Sequence, residues 1–282
     1  MKNLFKTRFV SLVGAMRSIA IITLVAVIGI SMAACDLEGG KKSYSYVITG
    51  SGSSFTAKSD SRTVSSGNMT KILDDIRTDA GGKDVSIQFG NGTNTLSFGS
   101  MTNYVIFQGS WGQITLTGKV EGVGLATSPV LEFRDNVVVS SSADISQNSG
   151  GIAVQLAGNS KLTVTGGTII TTSGTAIQSG SSSAAHSGEL NISGGTVQST
   201  AIQGNAIVVI NGGKVTLSGD ATITSANNGV YPGTIYLQSK ASGVSDPVLT
   251  IGADVTITNT ATSGNQLLIG NSNNLAVVDN RE

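Results

Sequence analysis

The sequence predicts an all-β fold, a right-handed parallel β-helix with one helix covering its N-terminal end. Three observations predict it. The 282 residues include 37 Gly but only 3 Pro, and 12% of them are charged. From Val85 onward, short stretches of alternating apolar residues are separated by Gly, Ser, Asn and Thr. Two short sequence patterns also recur in alternation along this part of the chain, which is typical of a solenoid built from repeated units.

The composition excludes several other classes of protein. So few charged residues exclude a disordered polyelectrolyte, a coiled coil and a nucleic-acid binder with a basic face. The single Cys and the single His exclude a disulfide framework and zinc sites built from these two residue types, and we expect no cofactor and no metal. Lys+Arg and Asp+Glu number 17 each, and four of the basic residues precede residue 18. The remainder is therefore mildly acidic, and no nucleic-acid partner is expected.

Residues 1–34 are predicted to be a lipoprotein signal peptide. A basic start is followed by a mostly apolar run at 19–30 and then by small residues, which is typical of a secretory signal. The run is shorter than the roughly 20 residues of a membrane-spanning helix. Met32-Ala33-Ala34-Cys35 resembles the bacterial lipobox, which implies acylation of Cys35, attachment to the membrane through the lipid and an extracytoplasmic place in the bacterial cell envelope. An ordinary signal peptide or an uncleaved anchor is the alternative.

Residues 35–67 are predicted to be a Ser/Gly-rich tether that contains one short strand. The strand is indicated by Tyr44, Tyr46 and Ile48, which alternate with small polar residues or Val. We expect the tether to lead into the single helix of the mature chain.

That helix is predicted within 68–84, where five apolar residues fall on one stripe. The stripe consists of Met69, Ile72, Leu73, Ile76 and Ala80. Asn68 can cap the start and Gly81-Gly82 can end the helix. It is expected to cover the first open edge of the solenoid. Asp74 and Asp75 point about 100° apart on a helix, so we expect a solvated face here and not a facing acid pair.

Residues 85–282 are predicted to form the β-helix. One pattern is an apolar triplet before a turn, as in LTVTGGTI at 162–169, LNISGGTV at 190–197 and VVINGGKV at 208–215. The other is a short strand ending in Gln, which places the repeat at Gln155, Gln178, Gln203 and Gln238. PVLEFRDNVVV at 129–139 also matches PVLTIGADVTI at 247–257.

Units of this length leave room for about eight coils, each about 25 residues long. Stacked coils about 4.8 Å apart would align Ile, Val and Leu inside, and Gly and Asn at the corners allow left-handed backbone conformations. The long and unequal units disfavour the left-handed hexapeptide form. A β-sandwich or Greek-key domain is the alternative, and it would show antiparallel hairpins.

The order of elements in 68–282 carries a family resemblance. A helix, then DVSIQFGNG at 84–92, then stacked repeats resemble the pectate-lyase-like right-handed parallel β-helix proteins. That group includes polysaccharide lyases and hydrolases as well as adhesins and surface lipoproteins. The resemblance implies a polysaccharide or another host or envelope surface ligand as the partner.

No catalytic residues are predicted. Glycoside hydrolysis needs two carboxylates about 5–9 Å apart across the scissile bond, and no acid after residue 115 recurs at a coil-to-coil offset. The nearest grouping is Glu132 and Asp135 beside Arg134. The hydrolase motifs of the family are absent, and His186 lies in a low-complexity run, where we expect a solvated loop. A polysaccharide lyase or hydrolase stays the alternative function.

Three aromatic residues are the candidate ligand contacts, because loops on a rigid solenoid are where partners bind. The segments 179–188 and 226–247 exceed the shortest repeat, and Tyr231 in the second can stack on a sugar ring. Tyr236 lies on a strand, where core or edge packing is the alternative. Trp111 lies at a turn, with packing against the helix or first coil as the alternative. The sequence thus predicts a lipid-anchored, adhesin-like surface protein that recognises glycans. A purely structural envelope component is a further alternative.

Overall fold

Almost all regular structure in the computed structural model is β-strand. The structure describes residues 44–52, 54–92, 94–98, 105–122, 130–180, 188–238, 246–269 and 276–281. The helix α1 spans Met69–Ala80. The strands are β1 (Tyr44–Ser51), β2 (Ser54–Lys58), β3 (Thr63–Ser66), β4 (Val85–Phe89), β5 (Leu96–Ser97), β6 (Val105–Phe107), β7 (Ile114–Gly122), β8 (Leu131–Phe133), β9 (Val137–Gln147), β10 (Gly151–Leu156), β11 (Lys161–Thr171), β12 (Gly174–Ser179), β13 (Glu189–Ser199), β14 (Ile207–Ile210), β15 (Lys214–Leu217), β16 (Thr222–Ser225), β17 (Gly233–Gln238), β18 (Val248–Ile251), β19 (Thr256–Asn259), β20 (Asn265–Ile269) and β21 (Ala276–Asp279).

The strands form three parallel faces that the chain visits in the same order in successive coils. The first face contains β1, β4, the first halves of β7, β9, β11 and β13, and then β15, β18 and β21. The second face contains β5, the second halves of the same four long strands, and then β16 and β19. The third face is the separate sheet β6, β8, β10, β12, β14, β17, β20. This arrangement is the predicted right-handed parallel β-helix.

One inward column of apolar residues shows how the coils align. In register on the first face stand Val85, Ile114, Val137, Leu162, Leu190, Val215, Leu249 and Val277. The first seven are buried in the hydrophobic core, and Val277 packs against it. The difference between successive residue numbers ranges from 23 (Ile114 to Val137) to 34 (Val215 to Leu249). The eight positions confirm the predicted number of coils, and their uneven spacing shows that loop length varies while the strands keep register.

The corner between the first and second faces needs glycine. Gly167 and Gly195 follow one another in adjacent coils with φ of 75° and 80°, a left-handed conformation that other residues rarely adopt. A Cβ on Gly195 would lie 2.6 Å from the main chain of Gly166 and Gly167. The two GGT sequences therefore have the corner role predicted for them.

The N-terminal coil begins earlier than the sequence analysis placed it. Within the predicted tether, the described residues 44–66 form three strands of the first sheet. Tyr44–Ile48 pair in parallel with Val85–Phe89, and β2 and β3 continue the sheet in antiparallel order. Four side chains of this segment are fully buried, namely Tyr46, Ile48, Phe55 and Ala57. Their burial is the physical reason that the segment joins the solenoid, because a free tether would expose them to water.

The helix is confirmed with its stripe and both ends. All five predicted apolar residues are buried, the Asn68 side chain accepts a hydrogen bond from the Thr70 N–H at 2.8 Å, and Gly81 ends the helix in the left-handed conformation. The helix contacts β2, β3 and β6 at the N-terminal end of the solenoid. Asp74 pairs with Arg77 at 2.9 Å and Asp75 with Lys71 at 3.0 Å, so each acid has its own cation on the helix surface.

Some of the sequence matches do not mark equivalent positions. LTVTGGTI and LNISGGTV are in register, and so are Gln155 and Gln178. However, Val208 lies on the third face although Val215 lies on the first, and Gln203 lies in a turn. Similarly, Leu131 belongs to the third face, whereas Leu249 belongs to the first. All three faces carry the same alternation, so a local match cannot tell which face a strand joins.

Among the described residues, no helix combines the length and the apolar character needed to cross a bilayer.

Candidate ligand-binding site

The outward side chains of the third face change character along the solenoid. In register from the N-terminal to the C-terminal coil they are Ile106, Glu132, Gln155, Gln178, Val208, Tyr236 and Leu268. From β6 to β17, their neighbours along each strand point into the core. The column is polar at its centre and becomes apolar from Val208 onward. The C-terminal half of this face therefore carries apolar side chains that lie outside the core.

Three side chains of that half form a separate hydrophobic group, which we call the outer cluster. Its members are Val208, Ile210 and Tyr236, and Leu268 packs against them. Although they face away from the core, Val208 and Ile210 are only 7% exposed and Tyr236 only 6%. The ring of Tyr231 stacks on that of Tyr236, with centroids 4.9 Å apart and planes 19° from parallel. Burial, and to a lesser extent the nearby Tyr231, raises the pKa of Tyr236 and keeps its hydroxyl neutral.

The Tyr231 ring belongs to a second, exposed group that we call the corner patch, consisting of Ile202, Val230 and Tyr231. These side chains are 66%, 81% and 53% exposed. They lie at the corner between the second and third faces in adjacent coils, which are joined there by a hydrogen bond of 2.9 Å from the Asn228 N–H to the Ile202 carbonyl. Among the described residues, only one other large hydrophobic side chain is exposed, Val278 on the first face at 48%. Clustered exposed apolar groups mark interaction surfaces.

Two buried asparagines hold the segment that carries Tyr231. The Tyr231 carbonyl accepts hydrogen bonds from the side-chain amides of Asn227 at 2.6 Å and Asn205 at 3.2 Å, and from the Gly233 N–H at 2.8 Å. The Asn227 amide oxygen accepts in turn from the Gly229 N–H at 2.9 Å. Because buried amides are stable only when they are hydrogen-bonded, this arrangement fixes the loop and presents the tyrosine ring in a set position.

The described segments that surround the tyrosine pair contain no formally charged residue. The two corners, 200–206 and 226–232, and the strands β14, β17 and β20 include no Asp, Glu, Lys or Arg. Arg281, which follows β21, donates a hydrogen bond at 3.2 Å to the side chain of Gln266 on β20. It also pairs with Asp279 at 2.5 Å. The guanidinium that contacts β20 is therefore neutralised by its own partner.

Trp111 is not part of this site. It lies in the turn between β6 and β7, whereas the tyrosines lie on coils near the opposite end of the third face. Its ring packs 6.1 Å from that of Phe107, and its Nε1–H donates to the Gln108 carbonyl at 3.0 Å. The half-buried indole thus has the packing contacts that formed the alternative interpretation. A ligand contact at Trp111 stays a prediction.

Glu132 and Asp135, the two acids that come closest to resembling a catalytic pair, are each hydrogen-bonded to neighbouring groups. Glu132 is buried and receives a hydrogen bond of 2.5 Å from the Arg134 Nε–H. Asp135 accepts from the backbone N–H groups of Trp111 at 3.3 Å and Asn136 at 2.8 Å, which fixes the turn. Within the part of the chain that the structure describes, no group of three His, Cys, Asp or Glu residues is placed to hold a metal ion. Cys35 and His186 lie outside the described residues.

Comparison with known proteins identifies no relative of this chain. No protein-family model matches it, and neither a curated protein nor a solved structure is significantly similar. The candidate site on the third face is therefore argued only from the residues of this chain.

The tyrosines were predicted from the sequence, but their partners were not. Tyr231 and Tyr236 were chosen separately, and the structure brings them into contact. Sequence reasoning missed Val208, Ile210 and Ile202. A signal existed for the first two: the run Ile207–Ile210 is apolar without alternation, which indicates a strand covered on both sides.

Proposed function

We propose that the protein is a lipid-anchored, adhesin-like binding protein of the bacterial cell surface that holds a glycan at the corner patch. One observation carries the proposal: Tyr231 stacks on a buried aromatic ring while about half of its own surface faces solvent. An aromatic ring held flat against the protein offers its other face to an apolar sugar face. The fixed loop supports this role, because a preformed site avoids the entropic cost of ordering on binding.

The proposed anchor rests on the sequence of the leader. The basic start, the short apolar run and Met32-Ala33-Ala34-Cys35 support acylation of Cys35 after cleavage. In the described chain the solenoid begins at Tyr44, so only a short segment would separate the lipid from the first coil.

The proposal is tested with the full-length chain, produced in a bacterium and purified in mild detergent. Immobilised neutral and acidic polysaccharides are used to measure retention, and released reducing and unsaturated ends are measured in the same samples. We expect retention without any release. Release of sugar ends would replace the binding role with the lyase or hydrolase alternative, and failure to bind any polysaccharide would overturn the glycan role.

A matched arm tests the anchor. Wild type and Cys35→Ser are grown with a labelled fatty acid, and the membrane and soluble fractions are separated. We expect label and membrane association for wild type and neither for the variant. Equal fractionation of the two proteins would contradict lipid attachment at Cys35.

A further inference from the structure

We infer that the corner patch takes an uncharged sugar ring, stacked on the outward face of Tyr231, and that it discriminates against acidic polysaccharides. This inference rests on the proposed glycan-binding function and narrows its ligand class. It follows from three features: the absence of charged residues from the described segments of the site, an exposed amide at the same corner, and the small size of the exposed patch.

The absence of charged residues from the described segments of the site favours neutral over acidic sugars. A uronic acid carries a carboxylate, which proteins recognise with Arg or Lys, most strongly in paired hydrogen bonds. The segments that form the site contain no basic residue, and the described Arg281 is already paired with Asp279. A bound carboxylate would lose its hydration at an apolar surface without gaining an ion pair, which is unfavourable. A neutral ring has no such cost.

A polar side chain lies at the same corner as the stacking ring, in the adjacent coil. The Gln203 side chain lies against Gly229, since a Cβ added to that glycine would be 2.9 Å from the Gln203 Cγ. Gln203 lies in the same turn as Ile202 and is exposed, and its amide has no hydrogen-bond partner among the described residues. An amide both donates and accepts hydrogen bonds, which matches a sugar hydroxyl in either role. A stacking ring and an exposed amide at the same corner can together fix both the face and the orientation of a bound sugar.

The size of the patch favours a sugar over a protein surface. A stable protein interface buries about 800 Å² on each partner and involves about 20–30 residues on each side. The corner patch has three exposed apolar side chains, and the adjoining outer cluster is already covered. Such a surface suits a single ring or a short run of a polymer.

The experiment compares neutral and acidic polymers of related structure. Full-length protein is titrated with galactan and polygalacturonate, and with mannan and alginate as a second pair, at low and at high salt. We expect the neutral member of each pair to bind at least about tenfold more tightly. Its affinity should not depend on salt, because no ion pair contributes to it.

Three variants locate the binding. Tyr231→Ala should weaken binding of the neutral polymer by about tenfold or more, whereas Tyr231→Phe should retain it, since the ring and not the hydroxyl makes the contact. Val278→Ala removes the exposed apolar side chain on the first face and serves as the control, with unchanged binding expected. Circular dichroism establishes that each variant keeps its β-structure.

The outcomes separate the two proposals. Tighter binding of the acidic polymers or a strong salt dependence would overturn the inference while the glycan role stands. Retention that Tyr231→Ala leaves unchanged would overturn the inference and would also place the glycan away from the corner patch. Loss of binding to all polymers in the wild type would overturn the proposed function itself. Binding of a purified protein through Tyr231, with no affinity for either neutral polymer, would overturn both.

Discussion

A single tyrosine connects the first coil to the helix that covers it. Tyr46 on β1 is buried, and its hydroxyl donates a hydrogen bond to the Asp79 side chain of α1. Arg62, after β2, pairs with the same carboxylate at 3.6 Å. Burial raises the pKa of Tyr46, and the hydrogen bond to Asp79 raises it further, since both disfavour the phenolate. The folded protein is thus more stable with the Tyr46 side chain as a neutral phenol than as a phenolate.

This contact predicts an alkaline limit to stability. Because the pKa of Tyr46 is higher in the folded than in the unfolded chain, its contribution is complete below pH about 10 and is lost as the pH rises further. Tyr46→Phe should cost about 1 kcal/mol near neutral pH through the lost hydrogen bond. Above pH about 10 the variant should lose stability less steeply than wild type. Urea unfolding across this pH range measures both, and equal alkaline slopes would refute the assignment.

The corner between the second and third faces has a polar interior. Its inward column consists of Gln147, Thr171, Ser199, Ser225 and Asn259. The Ser199 hydroxyl donates to the Gly174 carbonyl at 2.7 Å, and Ser225 bonds to Thr234 at 2.8 Å. A sharp bend leaves backbone groups without strand partners, and small polar side chains satisfy them locally. The segment carrying Tyr231 is attached to this corner, so the proposed ligand site is built on a hydrogen-bonded element.

The corner between the first and second faces depends on glycine. Substitutions there separate the steric clash of an added Cβ from the cost of a left-handed conformation. Gly195→Ala would place a Cβ against the preceding coil in addition to forcing a left-handed conformation. We expect a loss of about 2 kcal/mol or more. Gly158→Ala is the matched control, because φ is 66° there but nothing lies within 4 Å of the added Cβ. It should cost only about 1 kcal/mol. Urea unfolding of both variants checks this, and equal losses would contradict a steric role for the corner.

At the scale of the whole molecule, each coil is completed by its neighbours. The parallel register places nearly every inward side chain against the equivalent residue of the coils before and after it. Among the described residues no coil precedes the first one, and β2, β3 and α1 cover it instead. The buried stripe of α1 thereby replaces the contacts that another coil would make.

Removing this cover should promote association. Ile76 is fully buried on α1, and Ile76→Asp would place a charge in the apolar contact with the first coil. We expect a lower melting temperature and a shift to larger species in size-exclusion chromatography, because exposed sheet edges pair with other chains. Lys71→Ala, an exposed position on the same helix, is the control and should change neither. A monomeric Ile76→Asp variant with unchanged melting would show that α1 does not protect the end.

The sequence by itself determined the local features of this protein. It identified the solenoid, the helix with both of its ends, the glycine corners, and Tyr231 and Tyr236 as candidate ligand contacts. These follow from short-range rules: alternation predicts strands, a stripe at helical spacing predicts a helix, and few residues other than glycine adopt left-handed turns. Each depends on residues close together in the chain, which is why it could be seen without coordinates.

Only the tertiary structure decided which face each strand joins. That choice depends on the length of the corners, so Gln203 falls in a turn and the positions after Gln178 in its column belong to Val208 and Tyr236. The same register brings Tyr231 onto Tyr236 and draws residues 44–66 into the first coil. Register between coils is set by many weak contacts between residues that lie 23 to 34 positions apart in the chain. No single local pattern therefore predicts it.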